Sequence, residues 1–154
     1  MFLAGSAMTY GAATLLIGHL NLLSLVFMLV LVGVALAVLE RRAGARLSDR
    51  DVYVSTVGAV RLNEPASDLA VALAVASAAW QTPLSSGTVA IGEVGLAGEI
   101  RNVVGLQRRL TEAARLGMTR AFVPAGDVPS HVDGLTVLQV RDIRDALAAA
   151  KSSA

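Results

Sequence analysis

Serine, histidine, lysine and the carboxylates come first, because they can form a nucleophile, a base or a ligand set. This sequence offers few of them in useful company. A serine nucleophile needs an activating base and a site for the developing oxyanion. Ser67 stands where a helix begins, with backbone N–H groups nearby. Yet the chain has only two histidines, His19 in an apolar stretch and His131 in a loop-like one, and its only lysine is Lys151. No Ser-His-Asp or Ser-Lys pair is evident, and the ordinary role of Ser67 is that of a helix-start residue. Metal binding fares no better. Asp49 and Asp51 read as turn formers, and His131 and Asp133 lack further ligands nearby, so no metal is expected. Gly92, Gly95 and Gly98 imitate phosphate-loop spacing, but such a loop ends in lysine followed by serine or threonine, and no such ending follows them. ATP hydrolysis by this chain alone, and a bound cofactor, are therefore not expected.

Arginine is the remaining signal. Every basic residue except Lys151 is an arginine. Arg101, Arg108, Arg109 and Arg115 cluster in and near one predicted helix, and Arg41, Arg42, Arg46 and Arg50 form a second group. On one face they could neutralise phosphates, which makes DNA a candidate partner. The interleaved Glu99, Glu112, Asp49 and Asp51 could equally pair with them at the surface. A net charge of +1 favours neither reading.

The elements that must position these residues follow from periodicity. Residues 92–98 alternate apolar side chains with glycines, which predicts strand, tight turn and strand, with residues 89–91 opening the hairpin. From Val104 the period becomes helical. Leu106, Leu110, Ala113 and Ala114 share one face, and Gly117 sits where a left-handed cap would end the helix. Upstream, residues 52–60 read as a strand. Asn63-Glu64-Pro65 starts a helix over residues 66–80 that is apolar nearly all round, as a buried central helix would be. Thr82-Pro83 stops it. Residues 120–124 and 136–140 read as short strands, and residues 141–150 as a closing helix with Asp142 at its start. Strands alternating with helices predict one α/β domain over residues 40–150.

Composition divides the chain. It is 55% hydrophobic with 16% charged residues, and every charged residue lies from Glu40 onward. Residues 22–39 form an apolar run that reaches the length of a transmembrane helix, followed by Arg41 and Arg42. Residues 1–39 are thus expected to form one or two apolar helices, with a membrane anchor as one reading and a buried helix as the other. By the positive-inside rule the arginines would put the body in the cytoplasm. No cysteine is present, so disulfides are excluded.

Two blocks carry a resemblance. EPASDLAVALAVASAAW at residues 64–80 and GEVGLAGEIRNVVGLQRRLTEAARLG at residues 92–117 together resemble the C-terminal Lon-protease-like domain of the bacterial RadA (Sms) recombination ATPases. AVLERRAG at residues 37–44 and DVYVSTVGAVRL at residues 51–62 extend the resemblance, which runs from about residue 35 to 140. It implies the α/β fold of Lon's proteolytic module, which is like the second domain of ribosomal protein S5.

The resemblance also implies what chemistry is missing. Lon-type peptidases carry their serine in a Gly-Pro-Ser-Ala-Gly motif, and the matching stretch here puts Ala66 at that position. Their catalytic lysine follows Gly-Gly-Leu, and Gln107 stands in its place. Ser67 lies about 100° further around the helix. The implied protein is no enzyme: a non-proteolytic scaffold linked to recombinational DNA repair, associated with DNA, assembled as a ring and cytoplasmic. The zinc finger, phosphate-loop core and Lys-Asn-Arg-Phe-Gly motif of the RadA type do not occur in it. Two alternatives stand beside this reading. One is a membrane-anchored Lon-like peptidase using Ser67. The other is a truncated or fused gene product, a RadA tail behind a foreign apolar leader, without independent function.

Overall fold

The computed structural model describes residues 22–43, 51–52, 64–126, 128 and 132–152. His19, Arg46, Asp49, Arg50, Asn63, His131 and most of the strand expected over residues 52–60 lie outside them. So does the first half of the apolar head.

The described elements are a helix α1 (Leu22–Ala43), a 3-10 turn (Pro65–Ser67) leading into α2 (Asp68–Trp80), and strands β1 (Thr88–Ala90), β2 (Glu93–Val94) and β3 (Ile100–Arg101). Then come α3 (Leu106–Arg115), β4 (Arg120–Pro124), β5 (Thr136–Val140) and α4 (Ile143–Lys151). Local chemistry sets their ends. Pro65 opens the turn before α2, where its missing N–H costs nothing. The Asp142 carboxylate caps α4 by accepting from the N–H groups of Arg144 and Asp145. Gly117, at φ +82°, ends α3: its N–H donates to Ala114 and that of Met118 to Ala113.

β1, β4 and β5 form a parallel sheet in the order β1-β4-β5, with Val89 beside Ala121 and Ala121 beside Val137. The chain is therefore mixed α/β with a parallel sheet. β2 and β3 form a separate antiparallel pair, Glu93 opposite Arg101 and Val94 opposite Ile100. This corrects the hairpin expected from sequence. Residues 89–91 do not open it; β1 pairs with β4, and the hairpin arms begin only after Gly92. A short run of apolar β-formers carries no information about which neighbour it will pair with.

Side chains of β4 alternate between two cores. Phe122 packs with Ala35, Leu39, Leu69, Leu73 and Ile143 from α1, α2 and α4. Ala121 and Val123 pack on the other side with Leu110, Ala113 and Leu135 beneath α3. α2 is less enclosed than its composition suggested: Leu69, Ala72, Leu73, Val75 and Ala76 are buried, whereas Ala74 is exposed. Alanine fits either environment, so its abundance exaggerated the burial.

The apolar head is corrected in the same way. Side chains of α1 are described for Val26 and from Leu29 onward, and among the described residues no helix is long and apolar enough to cross a membrane. Instead Leu31, Ala35, Val38 and Leu39 make a buried stripe against the domain. The residue 39/40 boundary drawn from composition falls inside this helix. Apolar length alone does not distinguish a lipid-facing helix from one that fills a protein core.

This packing has a measurable consequence. Leu39→Ala removes a fully buried side chain and is expected to cost about 2–5 kcal/mol in urea unfolding. Leu29→Ser, at an exposed position of the same helix, should stay within about 0.5 kcal/mol of the parent. Equal losses at both positions would contradict the packed stripe.

Candidate functional site

The start of α2, the hairpin and the start of α3 converge. The Gly92 N–H donates to the Ala66 carbonyl at 2.9 Å, and the Leu69 N–H donates to the Gly92 carbonyl at 3.1 Å. A Cβ on Gly92 would lie 2.9 Å from the Ile100 side chain, which would have to shift to admit it. Ala66 is buried in the same apolar cluster as Ile91 and Leu106, and Glu64, two residues before it, pairs with Arg109 of α3. Gln107, in the first turn of that helix, is exposed. The two positions matched to the Lon dyad therefore belong to adjoining elements, and neither carries a nucleophile or a base. Ser67 Oγ donates to the Glu64 carbonyl at 2.7 Å. It stands at the N-cap of α2, but its hydroxyl caps none of the helix N–H groups.

The four candidate arginines do not form one free face. Arg101, on the hairpin, bonds Glu93 at 3.2 Å and Glu99 at 3.0 Å. Arg109 pairs with Glu64, and its Nε donates to the Val104 carbonyl at 3.2 Å. Arg115 holds Glu112 through two hydrogen bonds of 2.8 and 2.6 Å. Its hydrogen bond and charge keep the Glu112 carboxyl below its usual range. Glu99 is lowered first by its own backbone N–H and then by Arg101. Arg108 alone of the four has no carboxylate partner among the described residues. Such exposed pairs contribute little to stability, so phosphate can compete for their arginines.

Two features escaped sequence reasoning. Arg144 Nε donates to the Arg42 carbonyl at 2.6 Å, joining residues 102 positions apart. This brings exposed Arg41, Arg42 and Arg144 to one corner. Only the arginine pair after the apolar run could have hinted at it. The second is Asp68. Its Oδ2 accepts from the Val94 N–H at 3.2 Å, and it is half-buried in a cleft with Glu93, Glu99 and Arg101. Burial pushes its carboxyl up to about 6; the hydrogen bond from Val94 opposes that shift and the charge of Glu93 adds to it. Among the described residues no group of three or more His, Cys, Asp or Glu side chains could hold a metal ion.

Comparison with known proteins adds relatives to this geometry. Residues 34–127 match the family model described as subunit ChlI of Mg-chelatase. The chain is 51% identical over 111 residues to the DNA repair protein RadA of Mycolicibacterium smegmatis, covering 72% of this chain and 24% of that protein. It is 57% identical over 93 residues to RadA of Mycobacterium tuberculosis H37Rv, covering 60% and 19%. With RadA of Escherichia coli K12 it shares 45% identity over 115 residues, covering 74% and 25%. The chain thus spans about a quarter or less of the length of these relatives.

These relatives correct one expectation. A chain read as no enzyme and without an ATPase motif matches a Mg-chelatase subunit family and aligns with RadA proteins, which point to an ATPase-type domain. The expectation rested on the missing phosphate loop. That loop is a short local signature, and it does not report the machine to which a neighbouring stretch belongs.

Asp68 yields a pH prediction. Its carboxyl binds a proton more tightly folded, at about 6, than unfolded, near 3.8. Its contribution to stability is therefore greatest below about pH 4 and declines as pH rises through 6. Asp68→Asn keeps the acceptor for Val94 without the buried charge. The melting temperature of the variant minus that of the parent should rise between pH 4 and 6 and stay level above 7. A difference that is constant with pH would show that the carboxylate is not desolvated.

Proposed function

This chain belongs to the family described as subunit ChlI of Mg-chelatase, and from that premise we propose that it is the Lon-like module of a RadA-type DNA repair ATPase. The observation that carries this is the 45–51% identity to RadA proteins over nearly three quarters of the chain. The proposal includes the Lon proteolytic-domain-like fold, a cytoplasmic location, self-association into a ring and contact with DNA. The mixed α/β architecture with its parallel sheet supports the fold. Ala66 and Gln107 support a module that assembles and orients the machine rather than cutting peptides. The Ser67 hydroxyl donates to the Glu64 backbone carbonyl and meets no base among the described residues, which weighs against a peptidase reading.

For DNA, the arginines supply the chemistry. Arg108, with no carboxylate partner among the described residues, can meet a phosphate, and Arg101, Arg109 and Arg115 can exchange exposed carboxylates for one. The corner of Arg41, Arg42 and Arg144 adds three more guanidinium groups. It is not strongly basic, because Glu40, Asp142 and Asp145 lie in or beside the same elements. Asp145, however, is tied to Arg141 at 3.0 Å, and Asp142 is turned onto the α4 backbone.

Two measurements test this reading. Binding of a fluorescent DNA oligonucleotide should weaken about 100-fold between 50 and 200 mM salt if about four phosphates are neutralised. Replacing Arg41, Arg42 and Arg144 together by alanine should lower the logarithmic salt slope by about one for each phosphate that is no longer neutralised. Binding that ignores salt would remove DNA from the proposal. A serine-reactive fluorophosphonate should leave the chain unlabelled; an adduct abolished by Ser67→Ala would revive the peptidase.

A further inference from the structure

The hairpin and α1 enclose a cleft of about 480 Å³, with Asp68 at the start of α2 among its lining residues. Its apolar part is open to solvent. Val30 of α1 is 58% exposed and Leu96, in the hairpin turn, is 73% exposed, and both line the cleft. Val26 and Leu29 are exposed as well, and spacings of four and three residues from Val26 put all three side chains on one face of α1. An apolar surface that runs from a helix to a facing hairpin and is bordered by charge has the character of an interaction site.

The charged part is unbalanced. Asp68, Glu93 and Glu99 share the cleft with a single cation, Arg101. Its guanidinium bonds Glu93 at 3.2 Å and Glu99 at 3.0 Å, but it brings one positive charge to three carboxylates. With all three ionised, two negative charges stay uncompensated. Asp68 shows the consequence. Its carboxylate accepts only the Val94 N–H among the described residues, while burial and the charge of Glu93 both tighten its hold on a proton. A cation supplied from outside would relieve that position.

Chemistry selects the occupant. DNA phosphates and anionic lipid headgroups would meet these carboxylates with like charge, so neither suits the cleft. The geometry points to a docking site for an amphipathic helix of a partner protein, with leucine-like side chains on Val30 and Leu96 and a lysine or arginine facing Asp68. A helix presents an apolar anchor and a cation one turn apart, which matches an apolar wall beside a carboxylate. The site is separate from the DNA contact proposed above and does not depend on it. The carboxylates then discriminate among apolar partners by rejecting acidic ones.

The probe is a fluorescent helical peptide of leucine and lysine, patterned to give one apolar and one cationic face, titrated into the 154-residue chain by anisotropy. Binding is expected, and the same peptide with glutamate in place of lysine should not bind. Asp68→Asn, which keeps an acceptor for Val94, and Leu96→Ser, at an exposed turn, should each weaken binding about tenfold or more with the circular dichroism of the parent retained. Leu116→Ser, at an exposed apolar position outside the cleft, should bind as the parent does. Failure of the lysine peptide to bind overturns the proposal, and so does equal binding of the glutamate peptide. Binding that Leu116→Ser weakens as much as Leu96→Ser would be unspecific and overturns it too. Sedimentation decides between the other occupants. A dimer of the chain that Leu96→Ser dissociates gives the cleft to a second copy, and Leu96-dependent binding to phosphatidylglycerol vesicles gives it to a membrane; either result overturns the partner helix.

Discussion

Gly92 lies between the start of α2 and the hairpin, and its two hydrogen bonds join these elements where an added Cβ would crowd the Ile100 side chain at 2.9 Å. From that pinch the rest of the region takes its position. Ala66 is pressed into the cluster beneath α3, and Asp68 comes within reach of the Val94 N–H. The preceding residue, Ile91, donates to the Phe122 carbonyl and so ties the same point to the parallel sheet. At this junction Ala66 presents a methyl group, and the close fit fixes the relative placement of hairpin and helices.

Much of this is legible in the sequence. The change of period at Val104, the glycine after α3 and the proline before α2 each describe a local event, and local events are written in neighbouring residues. The two strands after Gly117 and the closing helix are readable for the same reason. What escapes is pairing at a distance. Nothing in Thr88-Val89-Ala90 states that it will lie beside Arg120-Ala121-Phe122, and nothing in Arg42 foretells Arg144. The apolar head shows the limit most plainly, because burial in protein and burial in lipid select the same residues. Of the candidate site, the matched positions Ala66 and Gln107 are visible through resemblance. Asp68 is not, since its unusual proton affinity arises from elements folded over it.

The arginines illustrate how geometry changes the meaning of composition. Four clustered cations suggest a phosphate-binding face, yet three of them direct their donors to carboxylates supplied by the hairpin, the 3-10 turn and their own helix. Pairing of this kind keeps a charged surface from attracting every polyanion, while leaving each guanidinium available to a competitor that offers more. Specificity then depends on how many pairs one partner can exchange at once.

β4 has a further consequence. Its side chains alternate between the cluster of α1, α2 and α4 and the cluster of α3, while its backbone bonds β1 on one side and β5 on the other. A single five-residue strand is thus common to both cores. Loosening either one unseats the strand that supports the other, so the two halves form one cooperative unit rather than separate foldons. The amides of β4 would exchange with solvent only through global opening, which makes this strand the slowest-exchanging clock in the domain.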